Sequence, residues 1–556
     1  MMKLSLLTAA VLAAVAQDAM AQPAVGAGAQ IQQIPPAPAQ PNRIPDIRVE
    51  DGRPAQESGP SGPRIVVRSL HLTGETWFTE AELIAAADFR PGSELDLAGL
   101  RALAGRISDF YNRNGYLVAH AYLPAQDVSN GEVTIAIIEG RYGKVTVHNS
   151  AKLSGDLARA ALRGLNAGDV VAAAPLNRRL LLLSDLPGVD VRSTLSPGEG
   201  VGTSDLLVDI EPGRPISGSL EADNAGSRYT GYYRGGATVN FNEPTGHGDV
   251  ASLRVLSSGR GLNYARGAYQ LHVDRATVGV SYAHLDYRLG REFKALKASG
   301  SEDIASVFGS YPLVRSRDNN LYALVDLDLR RFKDKVGATA STTEKSARVA
   351  TVGLAGDSHD RLWGGGWNAY SANWSFGELN IKTPLVRAID AATARTDGSY
   401  NKLSLQASRL QAVAGPLSFY ALARGQIASK NLDSSEKMEL GGAYGVRAYP
   451  EGEAYGDQGY LLTVEARLAL NALSGPLGGQ AQAIVFADQG SVLTNKSPWA
   501  AGSNRRTLSA AGVGLTWADG RGLMVKASYA FKLGDQPATS APDRSGRAWV
   551  QLVKFF

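Results

Sequence analysis

A single arginine, Arg447, stands in the stretch GGAYGVRAYPEGEAYGDQGY (residues 441–460), with Tyr444 and Tyr449 nearby among glycines and acids. A guanidinium in such a setting suits a carboxylate, because its planar fork can bond both oxygens at once. One partner is offered by QAQAIVFADQG, residues 480–490. Read as a strand, it puts Gln480, Gln482, Ile484, Phe486 and Asp488 on one face and Ala481, Ala483, Val485 and Ala487 on the other. The glutamines assign the first face to water, so Asp488 points into a wet interior. Glu465 and Asp326 face inward by the same parity, and an ordinary solvated loop arginine is the plain alternative. In a hydrated interior such a pair is worth about 1 kcal/mol. This is the chemistry of ion pairing, and catalysis finds little support. The histidines, His71, His120, His148, His247, His272, His284 and His359, fall in unrelated positions, with no HExxH or GxSxG arrangement. The chain has no cysteine, so no disulfide, thiolate–metal site or cysteine nucleophile, and it has no P-loop. No catalytic residue, metal or cofactor is expected.

Several elements must position that pair. Residues 1–21 read as an export signal: Lys3 supplies the charge, Leu4 to Ala16 the short apolar run, and Ala19-Met20-Ala21 the small-x-small cleavage pattern. Residues 22–63 are rich in Pro, Gln, Gly and Ala and read as an extension and linker. Only residues 25–34 form a candidate helix, which Pro35-Pro36 would end. Residues 64–140 then read β-α-α-β-β: a strand RIVVRSLHL, a capping box at Thr79–Glu82, a helix from Asp96 to Asn112, and strands in YLVAHAYLP and GEVTIAIIEG. Residues 141–214 repeat that order, with helices expected at Leu153–Leu165 and from Pro175 onward. Gly198, Gly200 and Gly202 lie between two strands of this second unit and read as a hairpin turn, not a phosphate cradle. From residue 215 the pattern is strand after strand. Ala323, Val325, Leu327 and Leu329 alternate with Asp326, Asp328 and Arg330; Leu462, Val464, Ala466 and Leu468 alternate with Thr463, Glu465 and Arg467. About sixteen such strands fit between 215 and 556, the length and count of a closed transmembrane β-barrel with a lumen, ending on the aromatic Phe556. On this segmentation the arginine stretch belongs to a long loop, 431–457, between strands eleven and twelve. A net charge of +4 over 556 residues gives no reason to expect nucleic acid as a partner.

Two motifs at this separation resemble those of a known family. Val446-Arg447-Ala448-Tyr449 is similar to a "VRGY/F" loop, and Phe486-Ala487-Asp488-Gln489-Gly490 fits an "FxDxG" strand. The segment Tyr311–Tyr322, YPLVRSRDNNLY, also looks typical. Together with two candidate POTRA units and the barrel, they resemble the transporters of bacterial two-partner secretion, the hemolysin secretion/activation proteins of the outer-membrane assembly-factor superfamily. The resemblance implies an outer-membrane barrel of sixteen strands with two periplasmic POTRA domains, and an arginine loop folded into the lumen to pair with Asp488. It implies ATP-independent export of a large secreted partner: a β-helical hemolysin, adhesin or contact-dependent toxin. Lipid and lipopolysaccharide would surround the barrel. Ala448 stands where the family usually has glycine, so a positive φ there would strain its backbone. Family members often carry an N-terminal helix plugging the barrel, and the candidate here is short. The nearest rival is an insertase of the same superfamily. A porin would not need soluble capture units.

Overall fold

In the computed structural model, which describes residues 26–38, 45–50, 63–471 and 478–556, the chain forms two small α+β units and a closed barrel. The expected signal, 1–21, lies outside the described residues, as does most of the extension.

In the first unit, the stretch read as one strand parts at Arg68. Ile65–Val67 pairs with Ser93–Leu95, and Ser69–Thr73 runs parallel to Glu132–Ile138. Thr79 and Glu82 close a capping box on the helix Glu80–Ala86. Asp96 caps Leu97–Arg113 by accepting from the Gly99 amide. Leu100, Leu103, Ala104, Ile107 and Tyr111 recur at helical spacing, so one stripe of this helix packs on Val133, Ile135 and Ile137. Of YLVAHAYLP, only His120–Tyr122 becomes strand.

The second unit holds the strand Arg141–Asn149, helices Gly155–Ala161 and Ala173–Ser184, and strands Val189–Pro197 and Thr203–Pro212. Its first helix is shorter than expected: Ser154 caps it late, and it ends before Gly164, whose φ is +95°. The three glycines form the turn between the last two strands, where Gly202 has φ +76°. Asp46–Val49, taken as linker, is a strand lying parallel to Arg192–Leu195 on the edge of this unit's sheet.

The barrel has sixteen strands in chain order, from Ile216–Asp223 to Gly546–Phe555. It closes where Ser219–Asp223 pairs antiparallel with Gln551–Phe555. Phe556 and Gly218 exchange two further backbone hydrogen bonds at 3.1 Å. Closure leaves no sheet edge unpaired in lipid. Val325, Leu327 and Leu329 face outward and are exposed, as alternation requires. The two α+β units attach at the start of the first strand, which fixes that rim as the one they share. The segment Tyr311–Tyr322 holds the second unit and the linker there. Arg315 clasps Asp185 through Nε and Nη2, both at 2.7 Å, while Arg317 bonds Asn177 at 2.7 Å and the Pro45 carbonyl at 2.9 Å.

The lumen is filled. A helix, Ala27–Gln32, lies inside it, with Ala27 packed among Leu285, Tyr287 and Phe332. The Ala27 amide donates to Asp334 at 2.9 Å. Short as it is, the helix is seated by the barrel wall, in keeping with tertiary packing outweighing intrinsic propensity.

Candidate functional site: an arginine clamp in the lumen

The loop 429–457 leaves the eleventh barrel strand, Leu417–Ala428, and returns to the twelfth, Gln458–Ala469. It folds back into the lumen as a hairpin, with Met438–Glu439 paired to Tyr455–Gly456. Its tip is a tight turn: the Val446 amide donates to the Leu440 carbonyl at 2.6 Å, Tyr449 to Val446 at 3.0 Å, and Gly442 to Tyr449 at 3.2 Å. Gly442 has φ +86°, and a Cβ there would collide with the Glu451 carboxylate. Ala448 is not among the positive-φ residues, so the feared strain is absent, and its methyl is buried with Val446 and Tyr449. Glycine is simply not required at that position.

That turn delivers Arg447. Its Nε and Nη2 bond the two oxygens of Asp488, each at 2.8 Å, and its own amide reaches Asp488 at 3.2 Å. Nη1 bonds Glu465 at 2.9 Å. The guanidinium carbon lies 3.3 Å from the centre of the Phe486 ring, so the cation also stacks on an aromatic face. Thr463 donates to Asp488 at 3.0 Å, and Arg467 takes the other oxygen of Glu465 at 2.7 and 2.9 Å. Each carboxylate is thereby supplied with more than one donor. The cluster is also dry: Arg447 and Glu465 are 5% exposed and Asp488 2%. The hydrated interior assumed from the sequence is missing here, because the loop itself excludes water.

The strand motif reads clearly in this geometry. Phe486 supplies the face beneath the guanidinium and Asp488 the fork acceptor, while Gly490 leaves room for the loop. A Cβ on Gly490 would stand 2.7 Å from Leu440. The Phe486 ring in turn lies over its register partner Gly512. Asp326 is not a partner of Arg447.

Other contacts were not legible beforehand. Trp549 of the closing strand donates to the Arg447 carbonyl at 2.6 Å. Tyr449 donates to the Gln536 carbonyl at 2.9 Å, and the Glu453 carboxylate accepts from the amides and hydroxyls of Thr539 and Ser540 and from Arg506. Nearer the loop's base, Asp433 pairs with Lys345 at 2.6 Å, and Glu436 with Arg330 and Lys402 at 2.9 and 2.7 Å. Inner-face parity could have marked Thr463 and Arg467. Nothing in the sequence marks Trp549 or Glu453 as loop anchors.

The N-terminal helix docks on this loop. Gln32 donates to the Ser435 carbonyl, and Gln33 to the Tyr455 hydroxyl at 2.9 Å. A Cβ on Gly28 would come within 2.7 Å of Ser435 Cβ. The chain beyond the helix is held by two arginines: Arg234 bonds the Gln33 carbonyl at 2.8 Å, and Arg254 the Pro35 carbonyl at 2.7 Å. Both arginines also pair with carboxylates of the first barrel strand, Asp223 and Glu221 respectively, at 2.9 Å. Helix and loop thus lie in the lumen together, tied to the barrel wall by hydrogen bonds that are separate from the strand ladder.

Comparison with known proteins agrees with this architecture. Residues 202–517 match the family described as haemolysin secretion/activation protein ShlB/FhaC/HecB, and residues 65–140 match the POTRA domain of ShlB type. The heme/hemopexin transporter protein HuxB of Haemophilus influenzae is 29% identical over 474 residues, 84% of this chain and 82% of its own length. The outer membrane transporter CdiB of Escherichia coli is 25% identical over 518 residues, 90% of this chain and 84% of its own. The solved structure of CdiB from Escherichia coli superposes with a TM-score of 0.65 at 22% identity, covering 91% of this chain and 93% of that one. With its periplasmic POTRA domain, closed sixteen-stranded barrel and matching family signature, the chain belongs to the haemolysin secretion/activation family and is an outer-membrane transporter of two-partner secretion.

Proposed function

We propose that the Arg447 loop and the N-terminal helix are the closed state of an export path, and that a large unfolded partner opens it. On this reading residues 141–214 are a second POTRA domain, and the two units hold the partner in extended form before it enters the barrel. The periplasm offers no ATP, so the path runs on downhill steps: capture, threading, and folding outside that prevents return. The partner is a β-helical hemolysin, adhesin or toxin, and lipid and lipopolysaccharide face the barrel's outer wall. The observation that carries the reading is the dry clamp of Arg447 between Asp488 and Glu465, which docks a removable loop in the lumen. An insertase would work through the barrel seam. Here strands one and sixteen are joined by the Ser219–Asp223 ladder, which favours passage through the lumen.

Deleting the gene is the test. The export reading predicts loss of one large polypeptide from the medium, with other outer-membrane barrels at normal levels. Depletion of those barrels with an unchanged medium would favour the insertase.

A further inference from the structure

The strand Asp46–Val49 is flanked on both sides by Pro- and Gly-rich sequence, yet it is paired residue for residue with Arg192–Leu195. The Glu50 amide extends the pairing by donating to the Leu195 carbonyl at 2.8 Å. Ile47 packs against the second unit's core. The four pairs cover less than half of the nine-residue edge strand Val189–Pro197. At its far end the strand meets a groove of about 1320 Å³ between the two units, lined by Val49, Leu195 and Gly200 on one side and by His120, Ala121 and Tyr122, an edge strand of the first unit, on the other. An open sheet edge is a template for any extended chain, recognising it through backbone hydrogen bonds with little demand on sequence.

We infer that the edge Val189–Pro197 is a docking strand for an extended segment of the exported partner, and that Asp46–Val49 is its resident competitor, displaced on capture. The inference rests on the export reading and adds the site and its occupant. A tethered strand competes at an effective concentration of about millimolar, so it keeps the edge from pairing with stray chains while yielding to a longer segment that continues into the groove. Displacement also frees the linker. Its Pro45 carbonyl is held by Arg317 of the barrel, and the same linker leads back to the helix in the lumen. Capture outside the barrel is thereby coupled to the segment that plugs it.

The chain's lack of cysteine makes the test clean. Arg48 and Thr194 are register partners, and their paired variant Arg48→Cys/Thr194→Cys would cross-link the linker to the edge. Arg48→Pro would weaken the linker strand. Alternation puts the Arg48 amide on the same side as that of Glu50, which is bonded to the edge, and proline has no amide hydrogen to give. The probe is the polypeptide lost from the medium on gene deletion, unfolded in urea and diluted onto the full-length transporter in detergent. The oxidised double-cysteine protein should capture it at least about tenfold less than wild type, with recovery on reduction, and both single-cysteine proteins should bind normally. Arg48→Pro should bind roughly tenfold tighter, the factor expected if the linker holds the edge about nine-tenths of the time. Heat-modifiable migration checks that each barrel is folded. Failure of the cross-link to form, normal capture by the fully cross-linked protein, or unchanged affinity of Arg48→Pro would each overturn the inference. If no polypeptide leaves the medium on deletion, the export reading fails first, and separately.

Discussion

Arg447 makes three kinds of contact at once: a fork to Asp488, a single bond to Glu465 and a stack on Phe486. Replacing it with Ala would leave Asp488 in a dry site with the Thr463 hydroxyl as its only side-chain donor, while Glu465 keeps Arg467. Breaking such a buried pair costs about 3–5 kcal/mol, more than the hydrated lumen assumed from the sequence would allow. The cost falls on the docked loop. We therefore expect Arg447→Ala to insert normally and to lose secretion, with altered ion conductance. Asp488→Ala should show the same defect, and the double variant should be little worse than either, because each single change already undocks the tip. Fully additive defects would show that the two side chains act separately. Gly490 belongs to the same scale: Gly490→Leu would drive a side chain into Leu440 and should phenocopy Arg447→Ala in conductance while leaving the ion pair's residues intact. Normal conductance in that variant would mean the loop tolerates displacement at Leu440.

Among the elements, the helix Ala27–Gln32 and the loop 429–457 are seated against one another. Gly28→Val would push a branched side chain into Ser435, an overlap costing about 1–3 kcal/mol. The helix should then leave the lumen more often, and single-channel recordings should show longer and larger openings. Unchanged recordings would mean that the helix is not what limits current. These elements also show what a sequence can and cannot reveal. The barrel strands were legible because inner and outer faces demand opposite chemistry at period two; for the clamp, parity offered Asp488, Glu465 and Asp326 alike, and only the motif resemblance singled out Asp488. The strand Asp46–Val49 was not legible: its only apolar anchors are Ile47 and Val49, and its partner is more than 140 residues away. The split at Arg68 was equally hidden, since RIVVRSLHL is apolar enough to be one strand and only the tertiary pairing divides it. Trp549 carries no such signal, since a tryptophan on a membrane strand is at home against lipid, yet this one points inward to the Arg447 carbonyl.

For the molecule as a whole, capture and passage occupy different parts, joined at one rim by Arg315 and Arg317. A chain lacking residues 64–140 should still insert, since the barrel's ladder closes without them, but it should not secrete. Normal secretion by that truncation would remove the capture role from the first unit. The proposed export path takes a partner out of the cell through this barrel past the Arg447 clamp. Its most direct measurement is the amount of the partner in the medium of a gene-deletion strain complemented with wild type or with Arg447→Ala, at matched levels of heat-modifiable barrel in the outer membrane. If the path runs this way, wild type restores the partner to the medium, while Arg447→Ala leaves it in the periplasm. Equal secretion by the two would contradict it.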